Sequence, residues 1–213
     1  MYVSTLLGAA PLLFVLPNFM SIYNKNKHYV VLLIITAIVE IVAISLAMRR
    51  TNNMWLYSTF TVVEFALLTA SLQRMQYQKI PVTITGILIL LMAGVTIFDV
   101  AYISKLQQYN SFSRIIECLL MIGISLFGFY DLIKNHVKES VHLTASPLFW
   151  LALAILMYMA GNLFVFALTN ILAANNDPAH NKAWVIHSTL NFVYNIMLVN
   201  VVLCLKKAPS YTT

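Results

Sequence analysis

Six ionisable side chains lie inside stretches of sequence that are otherwise apolar. They are four acids, one arginine and one histidine: Glu40, Glu64, Asp99, Glu117, Arg114 and His187. Such groups are costly inside a membrane, usually face the protein interior, and are candidates for a functional site. If Arg114 pairs with Glu117, three residues along the same helix, the other acids have no cation of their own in these stretches. Buried carboxyl groups must then be protonated, hydrated or matched by an external cation, so the pattern favours binding of cations or protons.

Neutral polar side chains extend this set on the last two apolar segments. At about 100° per residue, His187, Asn191 and Tyr194 share one face of a helix, with Asn195 beside them. Asn162 lies on a polar face of the preceding helix. Two interpretations of the asparagines remain open, because their amides can join helices by hydrogen bonds or contact a ligand.

A metal site is the weaker interpretation of the same residues. His187, Asp99 and Glu117 have the donor types that suit Zn²⁺. The spans contain one histidine, however, whereas zinc-dependent membrane hydrolases carry several. We therefore predict neither a metal nor another cofactor.

The polar residues share a range of depth. Counted from the outer end of each helix, they lie ~6 to ~15 Å deep, all in the outer half of the bilayer. By the same count the inner half offers mainly hydroxyl groups, which can bond to their own helix. We therefore expect a polar cavity that opens outward above an apolar layer. The predicted ligand-binding residues are Glu40, Glu64, Asp99, Arg114, Glu117, Asn162, His187, Asn191, Tyr194 and Asn195.

Seven apolar segments must position these side chains. Of the 213 residues, 61% are hydrophobic and 9% are charged, which is outside the range of soluble globular proteins. Since roughly 20 helical residues cross the hydrocarbon core, we expect spans at about 2–23, 28–48, 54–73, 81–103, 112–134, 147–172 and 183–205. The predicted fold is an all-α integral membrane protein, a single domain over residues 1–213. The first span is expected to be a retained helix, kinked at Pro11 and Pro17.

The basic residues predict the orientation. Lysine and arginine are enriched on the cytoplasmic side of membrane proteins, and eight of the thirteen fall on the side that holds the C-terminus. We therefore expect the N-terminus outside and the C-terminus in the cytoplasm of a bacterial inner (plasma) membrane. This bias, with attraction to anionic lipid headgroups, accounts for the net charge of +6 without a nucleic-acid partner.

Comparison with known seven-helix layouts narrows the functional classes. The last span has no lysine for a retinal Schiff base, and the prolines do not repeat as they do in small sugar transporters. Seven helices with an extracytoplasmic N-terminus resemble the membrane sensor regions attached to some bacterial histidine kinases. This resemblance is one of architecture and assigns no residue a role.

The function that we predict is that of a receptor-like or sensor-like membrane protein. It would bind a small cationic or polar-headed amphipathic ligand from outside, contact membrane lipids, and signal through a separate cytoplasmic protein. One alternative is a small-solute or proton-coupled transporter, which the apolar inner half disfavours. Another is a membrane-embedded enzyme acting on a lipid, with His187 as acid or base. Because Ser188 points about 100° away from His187, no nucleophile lies beside it, and enzymatic activity is the weaker prediction.

Overall fold

The computed structural model describes residues 10–78, 80–103, 109–136, 143–175 and 179–207. Within these ranges the chain is helical and contains no β-strand. Two short helices come first, α1 (Ala10–Val15) and α2 (Phe19–Lys25). Six long helices follow: α3 (Lys27–Met48), α4 (Met54–Met75), α5 (Val82–Phe98), α6 (Ser111–His136), α7 (Pro147–Ala174) and α8 (Ala179–Lys207).

The six long helices are those that can cross a membrane. In the described residues, each of them offers at least 18 residues of sufficient apolarity, with α5 continuing through a π-turn at Asp99–Ile103. Proline stands at the first position of α7, where its missing amide hydrogen costs no helical bond. The all-α fold is therefore confirmed, and six predicted spans correspond to helices that are long and apolar enough to cross a membrane.

The first predicted span, 2–23, lies partly outside the described residues. Its described part consists of α1, a 3₁₀ turn at Leu16–Asn18, and α2. Pro17 lies in the turn, at the start of the break between the two helices. Proline cannot donate the bond that would continue a helix and clashes with the preceding turn, so the interruption falls at one of the predicted kinks. A seventh complete span stays a prediction.

The long helices pack around α4, which contacts α3, α5, α6 and α7. Consecutive helices α6, α7 and α8 form the largest interfaces, and α1 and α2 pack against α8 and α3. α5 lies at the edge of the bundle and exposes large apolar side chains such as Leu90 and Ile87. In a membrane protein these exposed side chains are the surface that contacts lipid.

Hydrogen bonds identify which helix ends lie together. At one end, Asn110 before α6 donates to Thr61 of α4 (3.4 Å), and Asn170 of α7 donates to the Tyr109 carbonyl (2.9 Å). We call this the upper end; it holds the starts of α4, α6 and α8. At the lower end, Asn26 donates to the Ser71 carbonyl (3.0 Å), and Lys25 Nζ donates to the Leu205 carbonyl (2.8 Å).

Candidate functional site

Arg114 lies in a buried group of charges near the upper end. Its Nη1 atom is 2.9 Å from Oε2 of Glu64 and 2.8 Å from Oε2 of Glu117. Glu117 is fully buried, and Arg114 is 8% exposed. A buried charge is tolerated when it is paired and hydrogen-bonded, so this arginine stabilises two acids and joins α4 to α6. The predicted contact between Arg114 and Glu117 is confirmed, and Glu64 shares the same nitrogen.

Glu40 on α3 is the third acid of this group. It lies within electrostatic range of Glu64 and Arg114, is half-buried, and makes no hydrogen bond or ion pair with the described residues. We call Glu40, Glu64, Arg114 and Glu117 the acid cluster. Three carboxylates and one guanidinium leave two net negative charges when all are ionised. The cluster therefore attracts cations or protons. This agrees with the excess of acidic over basic side chains inside the apolar stretches of the sequence.

Hydrogen-bonding capacity remains unused inside the acid cluster. Nε of Arg114 and Oε1 of Glu117 are buried and have no hydrogen-bond partner among the described residues. Buried polar atoms in native proteins are nearly always satisfied by protein, water or ligand. These two atoms therefore indicate a place where a water molecule or a ligand group binds.

His187 connects α8 to α7 beside the cluster. Its Nδ1 atom donates to Oδ1 of Asn162 over 2.8 Å, and Asn162 in turn donates to the Tyr158 carbonyl. The imidazole ring lies 5.1 Å from the ring of Trp184 and 5.6 Å from that of Phe166, measured between centroids. The histidine is thus held by one amide and enclosed by aromatic rings.

Aromatic side chains from three parts of the chain meet around this histidine. Tyr194 of α8 stacks on Tyr158 of α7 at 4.7 Å, and the ring of Tyr109 lies 5.5 Å from Trp184. We call this set the aromatic wall: Tyr109, Tyr158, Phe166, Trp184, His187 and Tyr194.

The aromatic wall and the acid cluster belong to one site. Tyr158 lies within electrostatic range of Glu64 and Arg114, and His187 lies within range of Arg114. The faces of aromatic rings carry partial negative charge and attract cations. Carboxyl groups and aromatic rings within electrostatic range of one another provide the two kinds of group that bind an organic ammonium ion.

Asp99 bonds to the first turn of α6, and its contact with a ligand stays a prediction. Its Oδ2 atom accepts hydrogen bonds from the backbone nitrogen (2.8 Å) and the hydroxyl (2.6 Å) of Ser113. This is the geometry of an N-terminal cap, which satisfies an amide in the first turn of α6. Asp99 and Ser113 are 14 residues apart, so no local sequence pattern predicts this contact.

Asn191 and Asn195 bond to each other within α8. The side-chain nitrogen of Asn195 donates to the carbonyl (2.8 Å) and the side-chain oxygen (3.2 Å) of Asn191. In the described residues neither amide joins two helices, although Asn162 does so through His187. Asn191 remains half-buried one turn from His187, so its ligand contact stays a prediction.

Four of the six residues of the aromatic wall are absent from the ligand-binding set that the sequence predicts, which includes His187 and Tyr194. Tyr158, Asn162 and Phe166 recur every fourth residue and so share one face of α7. That spacing was available from the sequence, but aromatic residues in a membrane helix more often face lipid or lie at the interface. Trp184, by contrast, is half-buried against Tyr109 and His187.

The lower end is more polar than expected. Gln76 is 4% exposed, Ser125 and Asp131 are fully buried, and Asp131 accepts from the backbone nitrogens of Tyr77 (2.8 Å) and Gln78 (3.1 Å). The lower end therefore contains buried amide and carboxyl groups in addition to the hydroxyl groups that the sequence predicts for the inner half.

Comparison of the chain with protein-family models, curated proteins and solved structures finds no match. Within the described residues, no three histidine, cysteine, aspartate or glutamate side chains lie close enough together to hold a metal ion. The chemistry of the acid cluster and the aromatic wall is therefore the basis for assigning a function.

Proposed function

We propose that this protein is a receptor-like or sensor-like integral membrane protein that binds a small organic cation at its upper end. The observation that supports this function is the acid cluster, in which Arg114 pairs with two carboxyl groups and a third, Glu40, lies within electrostatic range of it. Ammonium groups bind both to carboxylates and to aromatic faces. An amphipathic ligand would place its charged head here and its apolar part among the lipid tails.

Glu40 is the acid that we assign to the ligand. Glu64 and Glu117 already share Nη1 of Arg114, whereas Glu40 makes no ion pair with the described residues and is half-buried. A ligand ammonium at Glu40 gains a counter-charge without breaking an existing pair. Arg114 then positions the other two acids and limits how many cations enter.

Signalling would follow from the connections that the site makes between helices. The Arg114 pairs join α4 to α6, and the bond between His187 and Asn162 joins α7 to α8. A ligand that binds one arrangement of these helices more tightly shifts the population toward it. With the N-terminus outside a bacterial inner membrane, the basic lower end would pass this change to a separate cytoplasmic protein.

The test is a thermal-shift comparison between choline and its uncharged isostere 3,3-dimethylbutan-1-ol on the full chain in lipid nanodiscs. Choline should raise the melting temperature of the wild type by about 5 °C at a hundredfold excess over its dissociation constant. The isostere should not raise it, because the two molecules share shape but not charge. Glu40→Gln should lose most of the choline shift.

Asp131→Asn is the matched control. It removes one buried carboxylate at the lower end, away from the proposed ligand, and so should keep the full choline shift relative to its own ligand-free melting temperature. Equal shifts by choline and its isostere, or an undiminished choline shift in Glu40→Gln, would contradict the proposal.

A further inference from the structure

One face of α6 is polar or small along nearly its whole length. The residues on it follow one another at steps of three or four, which places them on one side of a helix. They are Arg114, Glu117, Met121, Ser125, Gly128, Asp131 and Asn135. We call this the α6 stripe. Of these, Met121 alone has a large apolar side chain, and it stands between the acid cluster and the lower end.

Unsatisfied polar atoms lie on both sides of Met121. Above it are Nε of Arg114 and Oε1 of Glu117; below it are Oγ of Ser125 and both side-chain polar atoms of Gln76. All are buried and have no hydrogen-bond partner among the described residues. A buried water typically makes about three hydrogen bonds to such groups, so both places are suited to hold water.

Gly128 lets the Gln76 side chain lie close to α6 below Met121. A β-carbon built on this glycine would lie 3.4 Å from Nε2 of Gln76 and 3.7 Å from Leu148. The Gln76 amide therefore lies over the glycine, one turn of α6 from Ser125. We call Gln76, Ser125 and Gly128 the amide node. Asp131, the next polar residue on the stripe, is fully buried and accepts from the backbone nitrogens of Tyr77 and Gln78 at the lower end.

The barrier between the two polar places is thin. Glu117 and Ser125 are eight residues apart on α6, which corresponds to ~12 Å of rise, and Met121 fills the middle. Its Sδ atom accepts a weak hydrogen bond from the Thr69 hydroxyl at 3.8 Å. A methionine is flexible and its sulfur is a poor acceptor, so this contact is easily exchanged for water.

We propose that the α6 stripe is a proton route through the bundle, with Met121 as its gate. A proton from the upper solution binds a carboxylate of the acid cluster. When Met121 moves aside, this proton passes to water at the amide node, leaves by way of Asp131 to the lower solution, and the carboxylate is ionised again. One proton and one positive charge cross in each cycle, so sustained flux requires a compensating ion.

The proton-binding groups around Glu117 come from four parts of the chain. Those within electrostatic range of it are Arg114 and Cys118 on α6, Glu64 on α4, Tyr109 before α6, and Tyr194 on α8. The arginine opposes protonation of Glu117, and the acid Glu64 favours it. Glu117 and Glu64 therefore bind protons as a pair. A substitution of either acid tests proton binding by both.

The test measures proton flux in liposomes that contain the full chain and an internal pH-sensitive dye, with potassium and valinomycin supplying the compensating charge. Met121→Ala should conduct at least about threefold faster than the wild type, because a lower barrier raises the rate exponentially. Adding Ser125→Ala or Gln76→Leu to Met121→Ala should return the flux toward the wild-type value. Met92→Ala on α5 is the matched control, since it truncates an equally buried methionine away from the stripe.

The outcomes separate this inference from ligand binding. Flux equal to that of protein-free liposomes in both the wild type and Met121→Ala would overturn the proton route, as would an equal rise in Met92→Ala. A sodium or potassium current without acidification would also overturn it. The choline thermal shift of Ser125→Ala should remain that of the wild type, so either proposal can fail while the other stands.

Discussion

At the residue scale, Arg114 determines whether the acid cluster is stable. One guanidinium nitrogen contacts carboxylates from two helices, and removing it leaves acids buried without a counter-charge. Of the two contacts, the one to Glu117 was predictable because residues three apart on a helix are neighbours. The contact to Glu64 was not, because the sequence gives depth and face but not which helices lie side by side.

Substituting Arg114→Met should therefore destabilise the protein by about 3–5 kcal/mol, the cost of breaking a buried pair by removing one partner. Reversible unfolding by sodium dodecyl sulfate in mixed micelles measures the change. The triple variant Arg114→Met, Glu64→Gln, Glu117→Gln should recover much of this loss, because no charge is then left unpaired. Arg49→Met, at an exposed arginine, is the control, and an effect of equal size there would contradict the assignment.

Substitutions at Asp99 distinguish a capping role of this residue from a role in ligand binding. Asp99→Ala removes the acceptor for Ser113 and should cost about 1–2 kcal/mol, as the loss of a helix cap does. Asp99→Asn keeps an oxygen and should cost much less. Thermal unfolding with and without choline is the measurement, and both variants should retain the choline shift. A lost shift without lost stability would place Asp99 in the binding site instead.

At the element scale, length and apolarity predicted the helices well. Six expected spans correspond to long helices whose ends differ from the prediction by a few residues, as with α8, which begins at Ala179 instead of about 183. Those signals are local and are read directly from the sequence. The capping role of Asp99 and the bonds of Asp131 to Tyr77 and Gln78 depend on contacts across loops, which no local pattern specifies.

Helices α7 and α8 approach each other closely at Gly161, and this packing can be tested by substitution. A β-carbon there would lie 2.7 Å from Cδ1 of Leu190, so Gly161→Ala should destabilise the pair of helices by about 1–2 kcal/mol through overpacking. Leu190→Ala added to it should remove this clash. In unfolding experiments, Gly94→Ala on α5 should be neutral or stabilising, because no atom lies within 4 Å of its added carbon. Identical effects at Gly161 and Gly94 would contradict this packing.

At the scale of the whole molecule, four of the five acids in the described residues lie toward the upper end, and Asp131 lies at the lower end. The acid cluster lies between the upper end and the layer of Met121, and α8 carries the chain toward its C-terminus at the lower end. The sequence predicted this one-sided distribution from depth alone. It did not predict the buried amide of Gln76 or the continuous α6 stripe, because Gln76 follows an apolar run and the stripe passes through serine and glycine, which are common in any membrane helix.

The most direct measurement of the central claim is charge-selective labelling of a cysteine at position 40. Glu40→Cys, combined with Cys204→Ser, is treated in sealed vesicles of either orientation with methanethiosulfonates bearing a trimethylammonium or a sulfonate group. Rates are divided by those of Thr51→Cys, an exposed loop position. We expect the normalised labelling rate at position 40 to be at least about tenfold higher for the cationic reagent than for the anionic one, since negative charge concentrates cations locally. We also expect reaction from the side opposite the C-terminus. Equal relative rates for the two reagents, or reaction from the C-terminal side alone, would contradict this claim.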